Sequence, residues 1–184
     1  MIDHERKLIF LHIARTGGTS VETALVKKDW WFVDPETKHL SAQQARAHYG
    51  DIIWNNYTKF SIVRNPWDRL VSMWATKWWH ESSGLPVNIP FEEFIRRVKP
   101  HPHEIYNTLF YHEILNLKLD FILRFENLES DFNKMLKKLN LKQIELPHTE
   151  SRERPYYPSM YSVSAKNYVQ DYLKEDIRKF KYSF

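Results

Sequence analysis

The sequence predicts an α/β fold with a mostly parallel central sheet flanked by helices. Three observations carry that prediction. Apolar runs at 8–13, 58–63 and 120–125 have the length and composition of buried strands. Segments with helical spacing of apolar residues lie between and after them, so strands and helices alternate. Two of the runs end in residues that start a helix, Gly17-Gly18 in one case and Asn65-Pro66 in the other.

Taken in order, the charged opening Met1-Ile2-Asp3-His4-Glu5-Arg6-Lys7 is unlike a secretory signal, and no element is assigned to it. Residues 8–13 are the first strand and 18–28 a helix, followed by the aromatic connector Trp30-Trp31-Phe32-Val33. Residues 39–49 read as a helix with Ser41 as its cap. Residues 58–63 are the second strand. Residues 66–80 form a helix whose Leu70, Val71, Trp74 and Trp78 share a face, with Trp79 off it toward solvent. From 81 to 102 the chain is rich in turn residues around a short helix at 91–98. A helix at 107–117, a third strand at 120–125 and an amphipathic helix marked by Leu128, Phe132, Met135, Leu136 and Leu139 follow. Residues 147–158 form a basic loop, and Val169, Tyr172, Leu173, Ile177 and Phe180 mark a final helix. With 184 residues, no internal repeat and no low-complexity linker, the chain reads as a single domain spanning 1–184.

The most informative stretch is Leu8-Ile9-Phe10-Leu11-His12-Ile13-Ala14-Arg15-Thr16-Gly17-Gly18-Thr19-Ser20. A strand, a glycine turn and a helix start aim backbone N–H groups and the positive end of a helix dipole at one spot, which suits a phosphate or sulfate. Gly17 and Gly18 permit close backbone approach, Thr16, Thr19 and Ser20 add donors, and Arg15 adds a permanent charge. It is not a Walker loop: no glycine opens it, and Gly18-Thr19-Ser20 stands where Gly-Lys-Ser would be. A second segment, Phe60-Ser61-Ile62-Val63-Arg64-Asn65-Pro66-Trp67-Asp68, ends a strand in arginine and begins a helix with Asn65 as cap, Pro66 at its first position and Asp68 at its third. Arg64 and Ser72 could hold a second phosphate group. Both segments lie at carboxyl ends of strands, where open α/β sheets bind ligands.

Together these segments resemble the sulfotransferases that use 3′-phosphoadenosine 5′-phosphosulfate, in the branch of carbohydrate sulfotransferases and their small bacterial relatives. The family's phosphosulfate loop, roughly Pro-Lys-Thr-Gly/Ala-Gly-Thr-Ser, appears as Ala14-Arg15-Thr16-Gly17-Gly18-Thr19-Ser20. Its 3′-phosphate motif, Arg-Asn-Pro-x-x-Arg-x-x-Ser, appears without mismatch as Arg64-Asn65-Pro66-Trp67-Asp68-Arg69-Leu70-Val71-Ser72. Arg124-Phe125-Glu126-Asn127-Leu128 and the tail from Leu146 to Phe184 also look familial. The resemblance implies a P-loop-like three-layer sandwich and a single sulfotransferase-like domain. It implies transfer of a sulfuryl group to a hydroxyl on a carbohydrate or small-molecule acceptor. The donor would be bound by Arg15, Thr16, Gly17, Gly18, Thr19, Ser20, Arg64, Ser72 and, in the basic loop, Arg152.

Arg15 stands in the place of the family's lysine, which stabilises the leaving phosphate, and is assigned that catalytic role electrostatically. His39 is assigned as the base on the acceptor hydroxyl, the alternative being a surface or capping histidine. Arg152 either closes over the nucleotide or is solvated. Glu126 either orients a binding group or pairs with an arginine. His101-Pro102-His103 reads as a loop, since no third ligand stands at metal spacing. Two other functions stay open. One is a small P-loop kinase, against which the missing Walker lysine and magnesium aspartate count. The other is a nucleotide-binding protein without turnover, which Arg15 in place of lysine leaves open.

Composition sets outer bounds. A net charge of +4 suits an anionic donor and does not indicate nucleic acid. The absence of cysteine rules out disulfides and thiolate metal sites, and no metal is expected. No apolar stretch has the length of a membrane span, whereas Golgi members of the resembling family carry an anchor; a cytoplasmic enzyme is therefore expected.

Overall fold

The computed structural model describes residues 1–76, 78–98, 109–147 and 155–184. The chain packs as two compact units, Met1–Val63 with Glu113–Ser151, and Arg64–His112 with Arg152–Phe184.

The first unit holds the sheet. Its strands are β1 (Ile2–Asp3), β2 (Leu8–Leu11), β3 (Thr58–Val63) and β4 (Phe121–Arg124), in spatial order β1-β2-β3-β4. β2, β3 and β4 are parallel, with Phe10 opposite Phe60 and Phe60 opposite Phe121. β1 is antiparallel to β2, pairing Ile2 with Ile9. Alternation along the strands sorts the side chains onto two faces. Leu8, Phe10, Phe60, Ile62 and Leu123 meet Val21 and Leu25 of α1 (Gly18–Val26) in one core. Phe132, Met135 and Leu136 of a later helix, Leu128–Lys138, join the same core. On the other face, the Lys59 ammonium lies 5.9 Å from the Trp54 ring of α2 (Ala42–Asn56). Helices thus cover both faces, and the three layers that the sequence predicts are present.

Two local features depart from the sequence reading. The charged opening is a tight hairpin, not a strandless leader: Asp3 accepts from the Arg6 backbone at 3.1 Å and from its guanidinium at 2.9 Å, turning β1 back onto β2. The helix expected at 39–49 begins at Ala42, with Ser41 and Gln44 forming a reciprocal capping box. It then bends at Gly50, whose φ of 81° only glycine adopts readily, and continues to Asn56.

The second unit is helical. It contains α3 (Pro66–Trp74), α4 (Trp78–Ser82) and α5 (Phe91–Arg97). The chain passes between the units in α6 (Tyr111–Ile114), and α7 is the Leu128–Lys138 helix of the first unit. The second unit closes with α8 (Val163–Tyr172) and α9 (Lys174–Phe180). The single final helix expected from the sequence is therefore two.

The helix expected over 66–80 is also two, and this corrects one assignment. α3 stops at Trp74, and the His80 ring bridges the carbonyls of Trp74 (2.6 Å) and Pro86 (3.2 Å). The break resets the helical phase. Trp79, expected toward solvent, is 1% exposed and belongs to the core, while Trp74 is half-buried and donates its indole N–H to Ile89 O at 2.9 Å. The expectation for the Trp78 side chain lies outside the described residues. Trp79→Ala should cost about 3–5 kcal/mol, the scale of emptying a large core site. Urea unfolding measures this, and a loss under about 0.5 kcal/mol would put Trp79 back at the surface.

Candidate functional site

The loop between β2 and α1 is shaped by three constraints. Gly17, the helix cap, has a φ of 84°, and a Cβ there would sit 3.0 Å from Phe125 and Leu128. Gly18 opens the helix, and a Cβ there would lie 2.2 Å from the His12 ring. Thr16 is buried and donates its hydroxyl to Ile13 O at 2.7 Å, closing the turn. Arg15 adopts a left-handed φ of 66°, a region that bulky L-residues occupy at a cost. Thr19 and Ser20 lie half-buried on the first turn of α1. That turn has no acidic residue and no side-chain cap, so its dipole is not neutralised by its own sequence.

His39 is held against this loop. Its Nδ1 lies 2.8 Å from the carbonyl of His12, and the two rings are 4.6 Å apart. A carbonyl only accepts, so Nδ1 carries the proton and the neutral ring has its lone pair at Nε2. Burial holds the His39 pKa well below the ordinary 6.5, reinforced by His12 and Lys38 and opposed by the carbonyl contact and by Glu22.

Behind the loop is a buried polar network. His12 Nδ1 lies 2.6 Å from Glu22 Oε1, and the other carboxylate oxygen accepts from Lys38 Nζ at 2.7 Å and from Trp30 N at 3.1 Å. Lys38 also contacts Asp29, which caps the 3₁₀ turn Trp30–Phe32 by accepting from Trp31 N at 2.8 Å. Burial works to raise the Glu22 pKa, but His12 and Lys38 outweigh it and bring it down to about 2. Burial lowers the His12 pKa, and Glu22 opposes that shift. His12, Glu22 and Lys38 were not singled out by the sequence reading. The available signal was a glutamate between Val21 and the buried Ala24 and Leu25, on the apolar side of a short helix.

In the second unit, Arg64 follows β3 directly and is 3% exposed. Its Nε donates to Asp68 Oδ2 at 2.8 Å, one of five N–H donors on the guanidinium. Its backbone is clamped by the Tyr111 hydroxyl, which donates to Arg64 O at 2.8 Å and accepts from Arg64 N at 3.2 Å. Asn65 caps α3 as expected, accepting from Trp67 N and Asp68 N. Ser72 is buried in the same helix, and its carbonyl accepts from Thr76 Oγ1 at 2.8 Å. Tyr111 is anchored in turn by Asp176, a buried carboxylate that accepts its backbone N–H at 2.5 Å. Glu126 is exposed in the 3₁₀ turn Phe125–Asn127. Arg152 and the segment His101-Pro102-His103 lie outside the described residues. Among the described residues, no group of histidine and carboxylate side chains is placed to hold a metal, and no helix is long and apolar enough to cross a membrane.

The lowered histidine pKa values fix a pH dependence. Below the ordinary value of 6.5 the unfolded chain binds protons that native His12 and His39 do not, so stability is full above that pH and falls below it. Each group contributes at most about 1.4 kcal/mol per pH unit. Glu22 acts lower down: its contribution is present above 4.5 and disappears as pH falls toward 2. Urea unfolding between about pH 7.5 and 5.5 tests the upper window. His39→Asn keeps a donor for the His12 carbonyl but does not titrate, so it should lose less stability across that window than the parent. Equal losses would remove His39 from this account.

The model of the sulfotransferase family matches residues 1–183. An Archaeoglobus fulgidus protein described as uncharacterized is 30% identical over 108 residues, covering 55% of this chain and 83% of that one. No solved structure matches the chain.

Proposed function

Because the chain belongs to the sulfotransferase family, we propose that it moves a sulfuryl group from 3′-phosphoadenosine 5′-phosphosulfate to an acceptor hydroxyl, on a carbohydrate or small molecule. Residues 1–184 act as one catalytic domain in this reading. The observation that carries it is the carbonyl of His12 holding Nδ1 of His39 at 2.8 Å. A neutral imidazole with its lone pair at Nε2 is thereby tied to the loop that opens α1.

The donor's charged groups suit the residues present. The uncapped first turn of α1, the glycine backbone and the Arg15 cation suit a phosphosulfate, with Thr19 and Ser20 as hydroxyl donors and Thr16 shaping the turn. Arg64 and Ser72 take the 3′-phosphate by their match to the family motif, and Arg152 closes over the nucleotide. The acceptor oxygen attacks sulfur in line, the bond from sulfur to the phosphate oxygen breaks, and the acceptor proton passes to Nε2 of His39. Arg15 meets the charge that grows on the leaving phosphate, where a fixed cation lowers the barrier most. The enzyme works in the cytoplasm and needs no metal in this reading.

Three measurements test it. 3′-Phosphoadenosine 5′-phosphate should raise the melting temperature by mass action, and ATP with magnesium should do so much less. Equal shifts would favour a kinase. Arg64→Ala should weaken binding of the same nucleotide by about 2–4 kcal/mol in calorimetry, as a charge-assisted phosphate contact is lost. Unchanged affinity would take Arg64 out of the site. With labelled donor and a panel of acceptors, His39→Ala should slow transfer about 10²–10⁴-fold while leaving donor affinity near the parent's. Donor binding without transfer to any acceptor would point to a nucleotide-binding protein instead.

A further inference from the structure

We infer that Glu22 is a positioning residue for His39, setting its orientation and tautomer through His12 and Lys38. The inference rests on the reading of His39 as the base only for its consequence in transfer; the positioning itself stands on the contacts.

Glu22 grips His39 from two directions. Through Oε1 it holds the His12 ring at 2.6 Å, and the carbonyl of that same residue fixes Nδ1 of His39 at 2.8 Å. Through Oε2 it holds Lys38, the chain neighbour of His39, at 2.7 Å, and the Trp30 backbone at 3.1 Å. One carboxylate therefore anchors both the partner of His39 and the backbone that carries it. A carboxylate has only acceptor sites, which suits three donors converging from His12, Lys38 and Trp30 better than any neutral isostere. A glutamine would accept on one side and present N–H groups to the Lys38 ammonium and the Trp30 N–H on the other. The charged and titratable groups around His39 are His12 at the end of β2, Glu22 on α1, and Lys38 beside it with its partner Asp29. Of these, Glu22 favours protonation of His39, whereas Lys38 and His12 oppose it.

The test uses the full chain labelled with ¹⁵N-histidine, with long-range proton–nitrogen spectra recorded through a pH titration. The His39 signals are identified by their loss in His39→Gln. The parent should show His39 with its proton on Nδ1. Glu22→Gln should mix the two tautomers and move the His39 midpoint to lower pH. Lys38→Met should move it to higher pH, and the double variant should fall between them. Residues that served stability alone would lower the melting temperature without opposite shifts at His39. An unchanged tautomer and midpoint in both single variants overturns the inference. If circular dichroism shows Glu22→Gln unfolded, Lys38→Met decides: an upward midpoint supports the inference and an unmoved one overturns it. Transfer to 4-nitrophenol, used as a probe acceptor, separates the two readings. A loss of up to about 100-fold in Glu22→Gln, with donor affinity held, is the scale of a misplaced catalytic group. If the midpoints shift as expected but His39→Gln transfers as fast as the parent, the positioning stands and the base assignment falls.

Discussion

A carboxylate with no exposed surface, that of Glu22, is the point on which the sheet unit turns. Burying such a charge costs several kcal/mol unless every oxygen is met by a donor. Here the donors come from the end of β2, from the 3₁₀ turn after α1 and from the approach to α2. These are three stretches of chain with no regular hydrogen-bond ladder between them. The demand of one anion for partners does what a ladder does elsewhere and makes their relative placement a single choice. Removing any one partner leaves a buried charge with fewer donors, so the three contacts depend on one another in a way that apolar packing does not.

The two helix starts proposed to meet the donor's anionic groups are prepared in opposite ways. α1 begins with glycines, without an acidic residue in its first turn or a side-chain cap. α3 is met from within: Asn65 accepts from its first turn, and Asp68 sits in that turn bonded to Arg64. In the proposed reading, a phosphate at α1 would rest on backbone and dipole, whereas one near Arg64 would rest on side chains already ordered by Asp68 and Tyr111. The Tyr111 hydroxyl, used as donor and acceptor at once, makes the Arg64 backbone part of that prior order.

What the sequence revealed follows how local the physics is. The β2 loop, the second strand and the Asn65 cap were legible because neighbouring residues decide them. The parallel sheet was legible from the alternation of strands and helices. The place of Trp79 was not, because a short break after Trp74 resets which residues face inward, and periodicity read across a break carries the wrong phase. β1 was hidden because two residues in a charged stretch give no pattern. Gly50 concealed the second half of α2 for a related reason, since a glycine usually ends a helix and here only bends it. Glu22 was hidden most completely. Its partners lie 8, 10 and 16 residues away, a separation at which composition says nothing about contact.

Arg15 shows what such a loop asks of its sequence. Its backbone sits at a φ of 66°, where glycine or asparagine rests more easily. Chain comfort and charge therefore pull this position toward different residues. A library randomised there and sorted for thermal stability alone should drift toward glycine and asparagine, while one sorted for anion affinity should return to basic side chains. Residue 15 is thus a position where backbone preference and the proposed chemistry favour different side chains.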